Sequence, residues 1–273
     1  MKTTRTILSR AALSLSTGER AGVRAGLLLF WLLLAATPTF AAVRHVNLNS
    51  PAPAPPYTTW TTAATNIQDA IDVADDGDDI VVTNGVYQTG GRVVSGTVTN
   101  RVAVTKPLTL RSVNGPEVTV ILGDRVPDTT NGGTVRCAYL TNGAALIGFT
   151  LTNGRAYAVQ GGGVLCESAG AVVSNCVLRG NEAGEGAGAY GGTLNNCTIT
   201  GNITFRKGGG TEGGGAIYAT LNHCILTSNL AYYGGGAGEC TLNNCTLSGN
   251  SATRGGGATV STLNNCTLTE NSA

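Results

Sequence analysis

A seven-residue motif recurs five times in the last hundred residues of the chain and constrains the fold more than any other feature. Four copies read LNNCTIT, LNHCILT, LNNCTLS and LNNCTLT, and a fifth, weaker copy reads VSNCVLR. Each copy contains one cysteine, and an asparagine follows five residues after it. Self-similarity at a fixed short period is typical of solenoids, so the sequence predicts stacked and equivalent turns.

The motif defines two columns of equivalent residues. They are Cys176, Cys197, Cys224, Cys245 and Cys266, and Asn181, Asn202, Asn229, Asn250 and Asn271. In-register neighbours in a parallel sheet lie about 4.8 Å apart, whereas a disulfide needs its Cβ atoms about 3.8 Å apart. We therefore interpret the cysteines as a buried column of free thiols. We interpret the asparagines as structural residues that bond local backbone, accept left-handed corners and stack on one another.

Two solenoid architectures fit the motif. The segment Cys245–Ser248 alternates apolar and hydroxyl side chains like a strand, but the string L-x-x-C-x-L-x-x-N also fits a leucine-rich repeat. A leucine-rich repeat continues with further leucines, whereas here Gly-rich runs such as Gly255–Gly257 follow. Glycine costs about 1 kcal/mol per position inside a helix and suits tight corners. We therefore favour a parallel β-helix.

The tandem of Phe or Cys, then Asn, then GGGA, from about Phe149 to Ala273, resembles the right-handed parallel β-helix repeats of the pectin-lyase-like superfamily. It is similar in particular to the FxxN and GGAI repeats of polymorphic outer-membrane proteins, with cysteine where that family has phenylalanine. The resemblance implies an all-β, right-handed parallel β-helix. It also implies extracellular polysaccharide or cell-surface components as partners, because the superfamily includes polysaccharide lyases and hydrolases.

The first 41 residues are predicted to be a signal peptide. A basic segment precedes eleven apolar residues at positions 26–36, which are too few to span a membrane comfortably. An uncleaved N-terminal anchor is the alternative. We therefore expect an exported protein, extracellular or on a bacterial cell surface or outer membrane, with no membrane span after signal removal.

The remaining chain is predicted to form one elongated domain. Residues 43–64 are predicted to form a strand and a Pro-rich segment, and residues 65–273 the β-helix, with irregular turns over 80–151 and regular 21-residue repeats over 173–273. Because the chain stops in the middle of a repeat, we expect the sequence to be a fragment truncated at its C-terminus.

An amphipathic helix is predicted at residues 66–76 as the N-terminal cap of the coil. Ile67, Ala70 and Ile71 share one face of this helix. Thr65 and Gln68 are a candidate capping box, and we expect Trp60 to pack under the helix.

Charge gives little indication of a partner. The chain has 17 basic and 16 acidic side chains. The first 41 residues carry five of the basic and one of the acidic side chains, so the rest of the chain has 12 basic and 15 acidic ones. This balance predicts neither nucleic acid nor an anionic membrane surface as a partner.

No catalytic constellation stands out in the sequence. The outward positions of the repeated strand hold threonine and serine, which cannot assemble a calcium site. The best charged cluster lies near the irregular turns and contains Asp124, Arg125, Asp128 and Arg136. Solvated loop charges are the alternative interpretation. We predict no metal site and no cofactor, with calcium required only if the protein is a lyase.

The candidate binding residues lie on and near an insertion in the second repeat. They are Phe205, Arg206, Lys207, Tyr232 and Tyr233, which could present aromatic and basic groups to a sugar. Two hypotheses follow. The first is a surface-associated, non-catalytic binding or adhesion scaffold, with polysaccharide as one candidate ligand. The second is a polysaccharide lyase or glycosidase of the pectin-lyase-like superfamily.

Overall fold

The structure, a computed structural model, describes residues 41–124, 134–205 and 212–273. These residues form a coil whose strands stack into four long sheets. Sheet 1 has nine strands: Val43–Val46, Asp79–Val82, Thr109–Ser112, Ala145–Ile147, Val172–Ser174, Thr193–Asn195, Thr220–Asn222, Thr241–Asn243 and Thr262–Asn264. Sheet 2 has eight strands: Gly85–Tyr87, Thr119–Leu122, Thr150–Thr152, Val177–Arg179, Thr198–Thr200, Ile225–Thr227, Thr246–Ser248 and Thr267–Thr269.

The other two sheets form the return path of each turn. Sheet 3 has five strands: Arg155–Gln160, Glu182–Glu185, Ile203–Thr204, Leu230–Tyr233 and Ser251–Arg254. Sheet 4 has eight strands: Arg92–Val93, Thr99–Val104, Val135–Leu140, Val164–Cys166, Ala189–Tyr190, Ala216–Ile217, Ala237–Gly238 and Ala258–Thr259. Strands pair in parallel throughout, except that the short strand Arg92–Val93 is antiparallel to its neighbour.

A regular turn visits sheets 1, 2, 3 and 4 and then returns to sheet 1 beside its own starting strand. Crossover connections between parallel strands of one sheet are right-handed in nearly all proteins. The fold is a right-handed parallel β-helix, so the predicted fold class is confirmed. The leucine-rich-repeat alternative is wrong, because the return path consists of strands.

The helix near the start of the coil is shorter than predicted and begins differently. It spans Ile67–Asp72, and the side chain of Asn66 caps it by accepting a hydrogen bond from the Asp69 N–H at 2.9 Å. The predicted capping box is wrong, because Gln68 turns into the core. Its amide accepts from the N–H of Ala103 at 2.8 Å and donates to the carbonyl of the same residue at 3.3 Å.

The predicted position of Trp60 is also wrong. The indole is 42 % exposed and packs edge-on against His45, with ring centroids 4.3 Å apart. Trp60 belongs to an irregular segment whose backbone is fixed by bonds such as the one from the His45 N–H to the Tyr57 carbonyl. This segment therefore holds the indole on the surface instead of under the helix.

The irregular turns contain corners at which the chain passes from sheet 1 to sheet 2. Residues 146–151, which the sequence predicts to be a single strand, belong to two strands in different sheets, separated by Gly148, which has a φ of 77°. The segment GDDIVVTNGVY predicts a strand, a turn at Asn84 and Gly85 and a second short strand. That turn is a corner between sheets 1 and 2, so the two strands belong to different sheets.

Corners between sheets 1 and 2 in the repeats are made by one left-handed residue per turn. These residues are Asn175, Asn196, His223, Asn244 and Asn265, with φ between 52° and 54°. Asparagine tolerates this conformation better than most residues with a side chain. The left-handed role predicted for the asparagine column that starts at Asn181 therefore belongs to four other asparagines and to His223.

The interior of the coil is a continuous apolar core. Each regular turn contributes a leucine or valine from sheet 1, a leucine or isoleucine from sheet 2 and an alanine from sheet 4. These side chains are fully buried in every regular turn except the last, where Leu263 and Leu268 are exposed. Glycine occupies the corner between sheets 3 and 4 because the backbone of the next turn passes close by. A Cβ on Gly215 would lie 2.4 Å from the Gly236 carbonyl oxygen, and a Cβ on Gly236 would lie equally close to the oxygen of Gly257.

Candidate functional site

The asparagine column that starts at Asn181 forms a hydrogen-bonded ladder inside the coil. The side-chain amide of Asn202 donates to the Leu178 carbonyl at 2.9 Å and to the Asn229 side-chain oxygen at 3.0 Å. The backbone N–H of Asn202 donates to the same Asn229 oxygen at 3.0 Å. Asn181, Asn229 and Asn250 repeat this pattern, and all four residues are fully buried. The ladder leaves no amide facing solvent and is structural.

The cysteine column lies at the corner between sheets 1 and 2. All eight cysteines are free thiols, and only Cys266 is more than slightly exposed. The stacked thiols contact backbone, as where the Cys224 N–H donates to the sulfur of Cys245 at 3.4 Å. Burial raises the pKa of Cys240 to about 12, and contact with Cys197 is the main cause that raises the pKa of Cys224 to about 12. Thiols in this state are protonated and poor nucleophiles.

The structure describes two of the four residues in the predicted catalytic cluster, Asp124 and Arg136. Asp124 is exposed and its backbone N–H bonds the Val135 carbonyl, whereas Arg125 and Asp128 lie outside the described residues. Arg136 is buried, and its guanidinium donates to the carbonyls of Gly161 and Gln160 and to the Asn100 side chain. These contacts fix the backbone of two turns, so the geometry gives Arg136 a structural role.

Two of the predicted binding residues lie on an exposed aromatic patch on sheet 3. The aromatic patch consists of Tyr157, Ile203, Phe205, Leu230 and Tyr232, which face outward from three turns. The rings of Tyr157 and Phe205 have centroids 5.6 Å apart. The Arg155 guanidinium lies over both rings, at 5.7 and 5.4 Å from the two centroids. Arg206 and Lys207 lie outside the described residues.

A bulge in the first strand of sheet 3 lifts part of this patch away from the coil. The register to the next strand shifts between Ala156 and Gln160, and Ala158 has a φ of 56°. The extra residues project outward, so that the Tyr157 side chain is 46 % exposed. Tyr233, the remaining predicted residue, packs edge-on against Tyr232 with ring centroids 4.7 Å apart.

A second group of side chains lies beside the patch and along sheet 4, from the residues that precede its short strands to those that directly follow them. We call it the Glu–Tyr cluster; its members are Glu185, Tyr190, Glu212, Tyr218 and Glu239. The Glu212 and Glu239 carboxyls lie within hydrogen-bond reach of each other. The Tyr218 hydroxyl donates to Glu239 Oε1 at 3.1 Å, and the rings of Tyr190 and Tyr218 meet edge to face with centroids 5.5 Å apart.

The charges in this cluster perturb one another. Partial burial raises the pKa of Glu212 above its usual range, and Glu239 and Glu185 raise it further. Partial burial and the hydrogen bond to Glu239 raise the pKa of Tyr218 to about 12. Tyr218 therefore stays protonated at neutral pH and holds the Glu239 carboxylate by donating to it.

Open space adjoins one edge of the cluster. A cavity of about 220 Å³ is lined by residues 158–160 with Gly184 and Glu185. On sheet 4, Gly238 stands where the neighbouring strand has Ile217. This position is closely packed, because a Cβ on Gly238 would lie 3.3 Å from the Gly213 nitrogen and 3.7 Å from the Cβ of Glu212.

The sequence analysis missed the Glu–Tyr cluster, although one signal for it was present. Glu185 follows Cys176 by nine residues, and Glu212 follows Cys197 by fifteen. The insertion in that repeat adds six residues, so the two glutamates occupy equivalent positions. Backbone pairing confirms this equivalence, because the Gly186 N–H, directly after Glu185, bonds the Glu212 carbonyl.

Within the part of the chain that the structure describes, no group of three or more His, Cys, Asp or Glu side chains is arranged to hold a metal ion. The acidic run after the helix is paired with arginine: Arg44 bonds Asp78 at 2.8 Å and Arg111 bonds Asp79 at 2.8 Å. No helix among the described residues has the length and apolar character needed to cross a lipid bilayer.

Comparison with known proteins gives structural likenesses only. No family model matches the chain, and no curated protein matches its sequence. A solved pectin methylesterase in complex with hexasaccharide VII is 15 % identical over 77 % of this chain and 66 % of its own, with a TM-score of 0.47. A rhamnogalacturonan lyase is 12 % identical over 85 % and 63 %, with a TM-score of 0.49. A pectin methylesterase from carrot is 12 % identical over 82 % and 65 %, with a TM-score of 0.45.

This chain spans less than two thirds of the length of each of these proteins. At such identities the likeness concerns the fold alone. The stacked parallel sheets give the chain the parallel β-helix fold that its repeats predicted. The similarity to polymorphic outer-membrane proteins stays a prediction.

Proposed function

We propose that this protein is an exported β-helix that binds polysaccharide on the outer face of sheet 3. The aromatic patch is the observation that carries the proposal. The rings of Phe205 and Tyr232 lie on successive turns, about 4.8 Å apart per turn, and Tyr157 reaches Phe205 from the bulged strand two turns away. Each ring offers a flat apolar surface and has few rotatable bonds to immobilise. A sugar ring presents apolar C–H faces that stack on such surfaces, while its hydroxyls need polar partners.

Polar groups at the edge of the patch supply those partners. Arg155 lies over two of the rings, and Glu185 lines the adjoining cavity. Arg155 is held there by its ion pair with Glu182 at 3.5 Å, whereas the Glu185 carboxylate can accept hydrogen bonds from sugar hydroxyls. The site is an open surface across several turns, which suits a segment of a polymer better than a single small sugar.

The proposal is tested by affinity electrophoresis of the full chain in gels containing single soluble polysaccharides, namely polygalacturonate, xylan, mixed-linkage glucan and polyglucosamine. We expect retardation in at least one gel, and Tyr157→Ala or Tyr232→Ala should weaken that interaction about tenfold, since truncating a central aromatic anchor costs more than about 1 kcal/mol. Trp60→Ala is the matched control, because Trp60 is exposed to a similar extent but lies far along the chain on an irregular segment. Unchanged mobility in every gel would contradict the proposal.

Hydrolysis of the bound polysaccharide is a second candidate function, favoured by the raised pKa of Glu212. A carboxyl that remains protonated to higher pH can act as a general acid. Against this, Glu212 and Glu239 are within a hydrogen bond of each other, closer than the roughly 5 Å that separates the carboxyls of retaining glycosidases. Release of reducing ends that Glu212→Gln abolishes would establish hydrolysis, and binding without product would establish a scaffold.

A further inference from the structure

One carboxylate of the acidic run after the helix is buried beside the first strand of the coil. Asp78 is 3 % exposed, and its Oδ1 accepts a hydrogen bond from the backbone N–H of Ala42 at 2.7 Å. Its Oδ2 accepts from the Asp75 N–H at 2.9 Å and lies 2.8 Å from Nη2 of Arg44. Burial alone would raise the pKa of this carboxyl, but the two backbone N–H groups and Arg44 hold the pKa below its usual range. Asp78 is therefore ionised at neutral pH.

The charges that meet at Asp78 do not balance in the intact chain. Arg44 is 3.6 Å from the exposed carboxylate of Asp75 as well as bonded to Asp78, so one positive charge faces two negative ones. The neighbouring carboxylate of Asp79 has its own partner, because Arg111 lies 2.8 Å from it. One further positive charge beside Asp78 would balance the group.

The sequence places a candidate cleavage site at the residue that Asp78 bonds. A secretory leader ends in an A-x-A-like pattern, with small residues at the first and third positions before the bond that is cut. The bond between Ala41 and Ala42 meets this condition, because Ala41 and Thr39 are both small. The next bond does not meet it, since cleavage after Ala42 would put Phe40 at the third position. The leader pattern and the contact with Asp78 therefore indicate the same bond.

We propose that the bond between Ala41 and Ala42 is the processing site of the exported chain, and that Asp78 receives the α-ammonium group that cleavage creates. A signal peptidase hydrolyses the bond with one water molecule. The C–N bond breaks, the carbonyl carbon of Ala41 gains the oxygen of the water, and both protons pass to the nitrogen of Ala42. This nitrogen, which donates one N–H in the intact chain, then carries a positive charge and three N–H donors. It already lies 2.7 Å from Asp78 Oδ1, so the ion pair forms without rearrangement of the coil.

Processing thereby stabilises the first turn. With the new ammonium group, two positive charges face the carboxylates of Asp75 and Asp78. A hydrogen bond between charged groups is stronger than one from a neutral amide. The strand Val43–Val46 forms one edge of sheet 1, and removal of the leader therefore fixes this edge more firmly in place. The inference goes beyond polysaccharide binding and shares only the export of the protein with the proposed function.

The first experiment identifies the N-terminus. The full chain is secreted from a bacterial host with its own leader, and the folded product is analysed by intact mass and by sequencing of its N-terminal peptide. We expect Ala42 to be the first residue. A product that begins at any other residue, or that retains the leader, would overturn the assignment of the processing site.

The second experiment titrates the new amine in the processed protein. The rate at which an acylating reagent modifies the Ala42 amine is followed by mass spectrometry as a function of pH. An ordinary α-amino group has a pKa of about 7.7–8.0, which a neighbouring carboxylate raises and burial without a partner lowers. We expect this pKa to rise by at least about one unit, so acylation at neutral pH should be about tenfold slower than in the urea-unfolded protein. A pKa within or below the ordinary range would overturn the ion pair.

Two variants locate the effect. Asp78→Asn should return the pKa of the Ala42 amine to the ordinary range or below it and increase acylation at neutral pH about tenfold. Asp76→Asn is the matched control, because Asp76 belongs to the same acidic run but is exposed, and it should leave the profile unchanged. A raised pKa that persists in Asp78→Asn would overturn the role of Asp78. If this variant does not fold, the pH profile of the unmodified protein decides the question.

The outcomes are separate from those of the proposed function. An ordinary pKa for the Ala42 amine, in a protein that is still retarded in a polysaccharide gel, would overturn the ion pair and leave polysaccharide binding intact. A raised pKa in a protein that no gel retards would support the ion pair and contradict the binding proposal.

Discussion

Replacing Asn229 by alanine should destabilise the β-helix far more than any replacement of an asparagine on its surface. The Asn229 side-chain oxygen accepts from the backbone N–H and from the side-chain amide of Asn202, both at 3.0 Å. Its own amide donates to the Ile199 carbonyl and to the Asn250 oxygen, both at 2.9 Å. All of these groups are buried, so water cannot replace the lost partner without entering the core.

The expected magnitude follows from the groups that lose their partner. In Asn229→Ala two N–H groups of Asn202 are left without an acceptor, whereas Asn250 keeps the backbone N–H of residue 229 as a donor to its oxygen. Each buried, unsatisfied polar group costs about 1–3 kcal/mol, and the small cavity adds to this, so the total is about 2–5 kcal/mol. The loss also weakens the contact between adjacent turns, on which the stability of a solenoid depends.

Urea unfolding followed by far-ultraviolet circular dichroism measures the effect as a shift in midpoint at unchanged slope. Asn243→Ala is the matched control. Asn243 also bonds its neighbours in a ladder, at 2.8 Å to Asn222 and from Asn264, but this ladder is on the outside of sheet 1, where water can replace the side chain. We expect a loss below about 1 kcal/mol for the control. Equal and small losses in both variants would refute the conclusion that the inner ladder holds the turns together.

Four further predictions concern thiols, a buried arginine, a glycine corner and a perturbed carboxyl. In the native protein Cys266 should react with a thiol reagent first, while Cys240, whose pKa burial raises to about 12, should react only at the rate of unfolding; rapid labelling of all eight thiols would contradict this. Arg136→Met should lower stability by about 2–4 kcal/mol in the same urea assay, because two buried acceptors and one part-buried acceptor lose a donor. Gly215→Ala should reduce the yield of folded protein on expression, since its Cβ would lie 2.4 Å from the next backbone oxygen; a normal yield would indicate that the corner can open. Folding raises the pKa of Glu212, so the contribution of this carboxyl to stability is largest below the ordinary glutamate pKa and is lost as pH rises through the raised pKa. Glu212→Gln should therefore flatten this part of the curve of unfolding free energy against pH.

The coil was predictable because its repeats place chemically equivalent residues at equivalent positions. Leu194 and Leu221 fall in register in sheet 1, as their shared motif implies. The glycine run after each asparagine marks the corner at which successive backbones come into close contact, and there no side chain fits. Local sequence and global fold agree at these positions, which is the condition under which a pattern specifies a structure.

The candidate site was less predictable, since it depends on residues that differ from repeat to repeat. Phe205 was visible as an aromatic residue beside an insertion, but its partner Tyr157 belongs to a bulge that breaks the repeat. Glu239 lies on a different column from Glu185 and Glu212, so the period of the repeat does not indicate that its charge acts on Glu212. Arg136 shows the converse: a charged residue in an irregular region was interpreted as a candidate for chemistry, while its burial gives it a structural role.

The central claim is that a sugar polymer lies along the outer face of sheet 3. A crystal structure of the full chain with an oligosaccharide of a polysaccharide that retards it tests this claim most directly. We predict sugar rings stacked on Tyr157 and Phe205. An oligosaccharide bound on the threonine-rich faces of sheets 1 and 2, with the aromatic patch empty, would contradict the account.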